Sequence, residues 1–165
     1  MHVEPQSEHR WLHKLVGEWT YVGDCSMGPD EPAMKNTGTE SVRSLGGLWT
    51  IGDGKGEMPG IGIGYTVMTL GYDPAKKRFL GTFIGSMMTH LWIYDGSLDD
   101  SGKVLTLDAE GPSFTADGGI VEGKLVKYQD TIEFKSDDHR TLSSRMLTDA
   151  GEWVGIMNAD YHRTK

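Results

Sequence analysis

Histidine is the most chemically versatile side chain in this sequence, and His90 is the most informative of the six. In the segment THLWIYDG, a period of two places Met88, His90, Trp92 and Tyr94 on one face of a strand. An imidazole in such surroundings can hydrogen-bond a ligand, act as a general acid or base, or ligate haem. No second ligand lies nearby in the sequence, so a structural histidine bonded to a neighbour is the favoured interpretation.

Three other groups carry weaker signals. His9 and His13 are four residues apart on a predicted helix, a spacing compatible with a metal, but no Glu follows His9 as in zinc proteases. We therefore expect two solvent-facing histidines and no metal site. Cys25 is the single cysteine, and a lone cysteine is more often a small core residue than a nucleophile. The catalytic residues of any reaction stay unassigned.

Charged residues inside the fold would need partners. Glu40 and Arg43 in TESVRS have an odd spacing, so one of them faces the interior of a sheet protein. A buried charge is costly unless it is paired or binds a polar ligand group. We expect Arg145 or His90 as the partner of Glu40, and Arg43 or Arg145 as the polar anchor for a ligand.

Glycines alternate in MPGIGIGYTVMTLGYD, at positions 60, 62 and 64. A phosphate-binding loop would be followed by a helix, whereas YTVMTL has the composition of a strand. We therefore predict a strand with one bare face, which allows sharp bending or lets a neighbouring aromatic ring lie against the backbone. The adjacent segment GDGKGEMPG, residues 52–60, is either a lid or an ordinary hairpin.

The elements that must position these residues are mostly strands. A short helix, capped by Ser7 and stopped by Gly17, precedes about ten segments of period two that are separated by polar turns. This pattern predicts one all-β domain over residues 1–165, either a sandwich or an antiparallel up-and-down barrel, with its helix at about 8–16 and its strands at about 17–164. The glycine pattern described above favours the barrel.

Composition limits the partners and the compartment. The net charge is −8, which disfavours nucleic acid. The sequence contains no signal-peptide pattern and no apolar stretch long enough for membrane insertion, and the single cysteine fits a reducing compartment. These features predict a cytoplasmic protein.

The two ends of the chain carry a familiar signature. LVGEWTY places Gly17 and Trp19 at the first strand, and ADYHRT places Tyr161 and Arg163 in the last. This resembles the calycin pattern of lipocalins and fatty-acid-binding proteins, in which the first-strand Trp packs under an Arg of the last strand. Together with TGTESVRSLGGLWTIG, TLGYDPAKKRFLGTFIGSM and LWIYDGSLD, the chain resembles the bacterial family known as domain of unknown function 1579. The resemblance implies a calycin-like β-barrel and no established activity.

A barrel with aromatic and methionine side chains on its inner faces suits a small, largely apolar ligand. On the last strand, Trp153, Met157, Tyr161 and Arg163 are expected to share such a face. The candidate ligand-binding residues are Trp19, Arg43, Trp49, His90, Trp92, Tyr94, Arg145, Met157 and Tyr161. No cofactor is predicted. The alternatives are an enzyme with His90 as acid or base, a haem protein, and a packed barrel whose outer surface meets a partner, such as a second copy in a homodimer.

Overall fold

The alternation that begins at Gly17 produces strands that pair in chain order. A computed structural model of the chain describes residues 1–26, 32–58, 60–115, 117 and 119–165, and ten antiparallel strands lie within this part. They are β1 (Gly17–Cys25), β2 (Met34–Leu45), β3 (Trp49–Met58), β4 (Gly62–Asp73), β5 (Arg78–Gly85), β6 (Trp92–Leu98), β7 (Val104–Phe114), β8 (Ile120–Ser136), β9 (His139–Leu147) and β10 (Trp153–Arg163). Each pairs with the next, and β1 pairs with β10, so the sheet closes into a barrel. The predicted all-β up-and-down barrel is confirmed.

One helix, α1 (Ser7–His13), precedes the barrel, and its start differs from the prediction. The N-cap is Gln6 rather than Ser7, and the backbone N–H of Gln6 donates to Nδ1 of His9 at 2.9 Å. The Nε2 atom of His9 bonds the Tyr72 carbonyl at 3.1 Å. The expectation that His9 faces solvent is therefore wrong, because both ring nitrogens are used inside the fold. His13 is exposed, as expected.

The apolar stripe of α1 seals one end of the barrel, which we call the closed end. Trp11, Leu12 and Leu15 are buried there. The indole N–H of Trp11 donates to the carbonyl of Gly102 at 2.7 Å, so the helix is tied to the turn between β6 and β7. We call the opposite end, where β1 ends and β6 begins, the far end. No helix in the described part of the chain is long and apolar enough to cross a membrane.

Strand register decides which side chains point inward. Trp19 lies opposite Arg163, and Tyr21 lies opposite Tyr161. On β6, Trp92 and Tyr94 are buried, whereas the intervening Ile93 is 65% exposed. These inward faces of β1 and β6 are the ones that the alternation predicts.

Trp153 departs from its predicted face because of a β-bulge. Gly155 pairs with Arg145, but Met157 pairs with Ser144, so Ile156 is an extra residue on β10. A bulge shifts the alternation by one residue. Met157 therefore points inward as predicted, while Trp153 lies on the outer face.

Three further candidates for the interior lie on the outer face. Arg43 and Arg145 are exposed. Trp49 is 42% exposed, and its ring packs on the outer side over Gly71. The reason is that each is the immediate neighbour of an inward-facing residue, as Trp49 is of the buried Thr50, and adjacent strand residues face opposite sides.

The segment proposed as a lid is a strand. Gly52, Gly54 and Gly56 alternate along β3 on its inner face, opposite inward residues of β2 and β4; Pro59, at the end of the same segment, lies outside the described residues. The ring of Tyr21 lies so close to Gly38 and Gly56 that a Cβ at either glycine would collide with it. An aromatic ring does rest on bare backbone, as the glycine pattern predicts, although at other glycines than those at positions 60–64.

Candidate functional site

The barrel interior contains a buried ion pair between β2 and β9. Nη2 of Arg140 donates to Oε1 of Glu40 at 2.5 Å, and the two side chains are 3% and 13% exposed. The partners predicted for Glu40 were Arg145 and His90; both assignments are wrong, because Arg145 lies outside and His90 lies at the far end. Among the described residues, Nε of Arg140 finds no hydrogen-bond partner. A cavity of about 20 Å³ beside the pair is large enough for one water molecule.

Aromatic rings hold the same arginine in place. The guanidinium carbon of Arg140 lies 4.6 Å from the ring centre of Trp19 and 4.1 Å from that of Tyr161. Arg163 lies over Trp19 at 4.2 Å, as the calycin signature predicts. Stacked guanidinium groups are stabilised by the ring electrons. The closed half of the barrel is therefore a rigid charged and aromatic core.

A second cluster of polar side chains lies at mid-barrel and connects β6, β8 and β9. The hydroxyl of Tyr94 donates to Oδ2 of Asp130 at 2.5 Å, and Ser144 also hydrogen-bonds this carboxyl. Burial raises the pKa of Asp130, and the two hydrogen bonds only partly oppose this. Burial, reinforced by the charge of Asp130, raises the pKa of Tyr94 well above its ordinary value. Asp130 is thus a carboxyl whose charged form is disfavoured inside the barrel.

The far half of the interior has a different lining from the closed half. The closed half is sealed by side chains such as Leu70, Leu105, Leu107 and Ile132, which are 0–1% exposed. Nearer the far end Trp92, Tyr94 and Tyr128 are buried, but other inward-facing apolar side chains are only partly buried: Tyr21, Phe83, Met88, Val126, Met146 and Met157. Flexible thioethers and aromatic faces left partly open to solvent are typical of a ligand cavity.

His90 does not share the position of Trp92 and Tyr94. It precedes β6, and its Nε2 bonds the carbonyl of Glu110 at 2.8 Å while its ring meets Trp92 edge to face at 4.9 Å. In the described residues, β6 and β7 are paired only from Asp95–Leu98 to Leu105–Asp108. His90 therefore bridges the seam where these two strands diverge, which agrees with the favoured interpretation of a structural histidine.

A groove of about 700 Å³ runs over this seam on the outer wall. Its lining combines apolar groups with charges and includes Leu91, Ile93, Glu110, Lys127 and Trp153. Trp153, which was predicted to face the interior, instead lines this groove. The guanidinium of Arg145 stacks on Trp153 at 4.6 Å and donates to Oε1 of Gln129, another residue of the lining.

The structure thus brings five of the predicted residues into the interior: Trp19, Trp92, Tyr94, Met157 and Tyr161. Sequence reasoning missed Asp130 and Arg140. Each had a detectable signal, since Asp130 alternates with Tyr128 and Ile132, and Arg140 with Leu142. A charge at a position of buried parity marks an inward charge.

No grouping of three histidine, cysteine or acidic side chains able to hold a metal ion occurs in the part of the chain that the structure describes.

Two solved structures share this fold at low sequence identity. The S-type phycobiliprotein lyase CPES from Guillardia theta has a TM-score of 0.62 and 13% identity, covering 97% of this chain and 94% of its own. Rv2717c from M. tuberculosis has a TM-score of 0.62 and 14% identity, covering 98% and 100%. No curated protein matches the sequence. The family model described as "Protein of unknown function (DUF1579)" matches residues 4–163, and the chain therefore belongs to the DUF1579 family.

Proposed function

We propose that the protein binds a small, largely apolar molecule in the far half of the barrel interior. The observation that carries this proposal is the contrast between the two halves of the inner lining. Leu105 and Leu107 leave no exposed surface, whereas Met146 and Met157 are inward-facing and only partly buried. A barrel stabilised only by its own packing has no need of half-open methionines beside a fully sealed core.

The chemistry of the lining selects the ligand. Methionine side chains adapt their shape to a bound surface, and the partly buried rings of Tyr21 and Phe83 offer flat faces. Such a lining favours a planar or aromatic molecule over a sugar or a phosphate ester. The likeness to other barrels supports the fold and adds nothing about the ligand.

Catalysis by His90 and haem ligation have less support. Both hypotheses placed the imidazole on the inner face beside Trp92, and His90 instead bonds Glu110 at the seam. We therefore propose binding and assign no reaction.

The test uses prodan, a neutral naphthalene dye whose emission shifts to the blue in an apolar site. Met157→Trp fills the proposed cavity, and Ile93→Trp adds the same indole to the outer groove as the matched control. We expect a blue shift with the wild-type chain, its loss in Met157→Trp and its retention in Ile93→Trp.

Three results would contradict the proposal: no blue shift with the wild-type chain, loss only in Ile93→Trp, or unchanged binding in a folded Met157→Trp. Circular dichroism in the near ultraviolet checks the fold of each variant. Met157→Ala is the second variant if the tryptophan cannot be accommodated. It enlarges the cavity, and an unchanged dye affinity and emission maximum would contradict the interior site.

A further inference from the structure

Asp130 is an interior carboxyl whose hydrogen-bond partners are both neutral. Tyr94 donates to Oδ2 at 2.5 Å, and Ser144 supplies a second hydrogen bond. A carboxylate has about four acceptor positions, so two donors leave capacity for a further one. Asp130 and Ser144 both retain some accessible surface, unlike the sealed leucines of the closed half.

Among the described residues, no basic side chain is paired with the carboxyl of Asp130. Elsewhere in the interior, the charges of Glu40 and Arg140 neutralise each other, since Oε1 of Glu40 and Nη2 of Arg140 are 2.5 Å apart. The remaining titratable neighbours are phenols on β6, β8 and β10. Burial keeps all three neutral, since it raises the pKa of Tyr128 to about 12 and raises that of Tyr94 and Tyr161 as well. Among the described residues, Asp130 is therefore an interior acidic group without a basic partner.

The side chains around Asp130 suit a ligand that carries a positive charge on an otherwise apolar molecule. Asp130 is paired with Ser144, which is paired in turn with Met157, and Met146 is paired with Tyr128, so two methionines occupy neighbouring register positions on β9 and β10. Trp92 meets the Tyr128 ring edge to face at 4.8 Å. Aromatic faces attract cations as well as apolar groups, and this attraction grows when water is excluded.

We infer that Asp130 is the anchor for a positively charged nitrogen, and that the ligand is an aromatic or other planar molecule carrying an amine. This inference rests on the proposed function and deepens it. The ammonium group replaces water at Asp130 and donates to the free acceptor positions, while the apolar frame lies among the methionines of the far half. A ligand with a carboxylate in place of the amine would face the same acidic group and be repelled.

The experiment compares three probes that share one ring system: naphthylmethylamine, naphthalenemethanol and naphthoic acid. They are cationic, neutral and anionic at neutral pH. Isothermal titration calorimetry gives the dissociation constant of each. We expect the amine to bind at least about tenfold more tightly than the alcohol, a preference that corresponds to one charged hydrogen bond. The acid should bind most weakly.

Asp130→Asn removes the charge and keeps the shape. We expect it to abolish the preference for the amine and to leave the affinity for the alcohol within about twofold. Asp108→Asn is the matched control, since Asp108 is an exposed carboxylate on the outer face of β7. It should leave all three dissociation constants unchanged.

The outcomes separate the two proposals. If none of the three probes binds, the proposed function fails. If the alcohol binds but the amine has no advantage, or if Asp130→Asn keeps the advantage, only the assignment of Asp130 is overturned. If Asp130→Asn does not fold, the pH dependence of binding to the wild-type chain still tests the assignment of Asp130. The affinity of this chain for the amine, and not for the alcohol, must fall as the pH is lowered and Asp130 becomes protonated; equal pH profiles would overturn the inference.

Discussion

The guanidinium of Arg163 lies 4.2 Å above the ring of Trp19, and this contact joins the last strand of the barrel to the first. Arg163 also donates hydrogen bonds to the carbonyls of Lys14 at 2.8 Å and Asp137 at 3.0 Å. The side chain of Arg163 therefore links three segments: β10, the residues that follow α1, and the turn between β8 and β9. Its planar fork can make these bonds and stack on the ring at once.

Removal of Arg163 should weaken the barrel at this junction. We expect Arg163→Ala to lower the free energy of unfolding by about 2–4 kcal/mol, because charged hydrogen bonds and a stacked contact are lost together. Arg163→Lys should recover only part of this, since an ammonium group has no fork. Urea unfolding provides the measurement. Arg43→Ala on the outer face is the control, and an equal effect of the two alanine variants would contradict this role for Arg163.

The buried ion pair should be sensitive to the loss of one partner. Glu40→Ala leaves Arg140 charged, buried and unpaired, and we expect a loss of about 3–5 kcal/mol in unfolding free energy. The double variant Glu40→Leu with Arg140→Met replaces the pair by apolar groups, so it should be more stable than Glu40→Ala alone. Urea unfolding measures the free energy of unfolding of the wild-type chain and of both variants. A double variant that is destabilised as much as Glu40→Ala, or more, would argue against this account.

The glycines beneath Tyr21 offer a rescue experiment. A Cβ at Gly56 would meet the hydroxyl of Tyr21, so Gly56→Ala should cost about 1–3 kcal/mol and Tyr21→Phe should relieve most of it. A Cβ at Gly38 would also meet the backbone carbonyl of Lys55, and Tyr21→Phe should not rescue Gly38→Ala.

The melting temperatures of Gly56→Ala and Gly38→Ala, each with and without Tyr21→Phe, measure this difference. Gly155→Ala is the control, because no atom lies within 4 Å of the Cβ position there. Rescue at Gly38, or its absence at Gly56, would show that the Tyr21 hydroxyl is not the limiting contact.

Asp130 should make stability depend on pH. Burial raises its pKa in the folded state, so the folded protein holds this proton more tightly than the unfolded chain. The favourable contribution is present at low pH and is lost as the pH rises through the raised pKa. Relative to Asp130→Asn, the wild-type chain should therefore gain unfolding free energy as the pH falls from 8 towards the ordinary Asp pKa of about 3.9. Urea unfolding at several pH values tests this, and a difference that is constant or of opposite slope would refute it.

Local alternation carried most of the correct predictions. A period of two reports which side of a strand a residue occupies, and it needs no knowledge of other strands. This is why the inward positions of Trp19, Trp92 and Tyr94, the apolar stripe of the helix and the set of about ten strands could be predicted. The pattern of strands left a sandwich and a barrel open, and the calycin resemblance favoured the barrel. The pairing of Trp19 with Arg163 came from the calycin resemblance, which is itself a statement about strand neighbours.

The remaining features depended on the tertiary structure. Ile156 adds one residue to β10, and this local shift moved Trp153 to the outer face. The partner of Glu40 is Arg140, a hundred residues away, because barrel closure brings β2 and β9 to the same interior. Alternation determines a side of the sheet, whereas register, bulges and closure determine which inward residues meet. The sequence by itself therefore determined the barrel and much of its lining. Only the tertiary structure decided that Asp130 lies in the interior beside neutral partners, with no basic partner among the described residues.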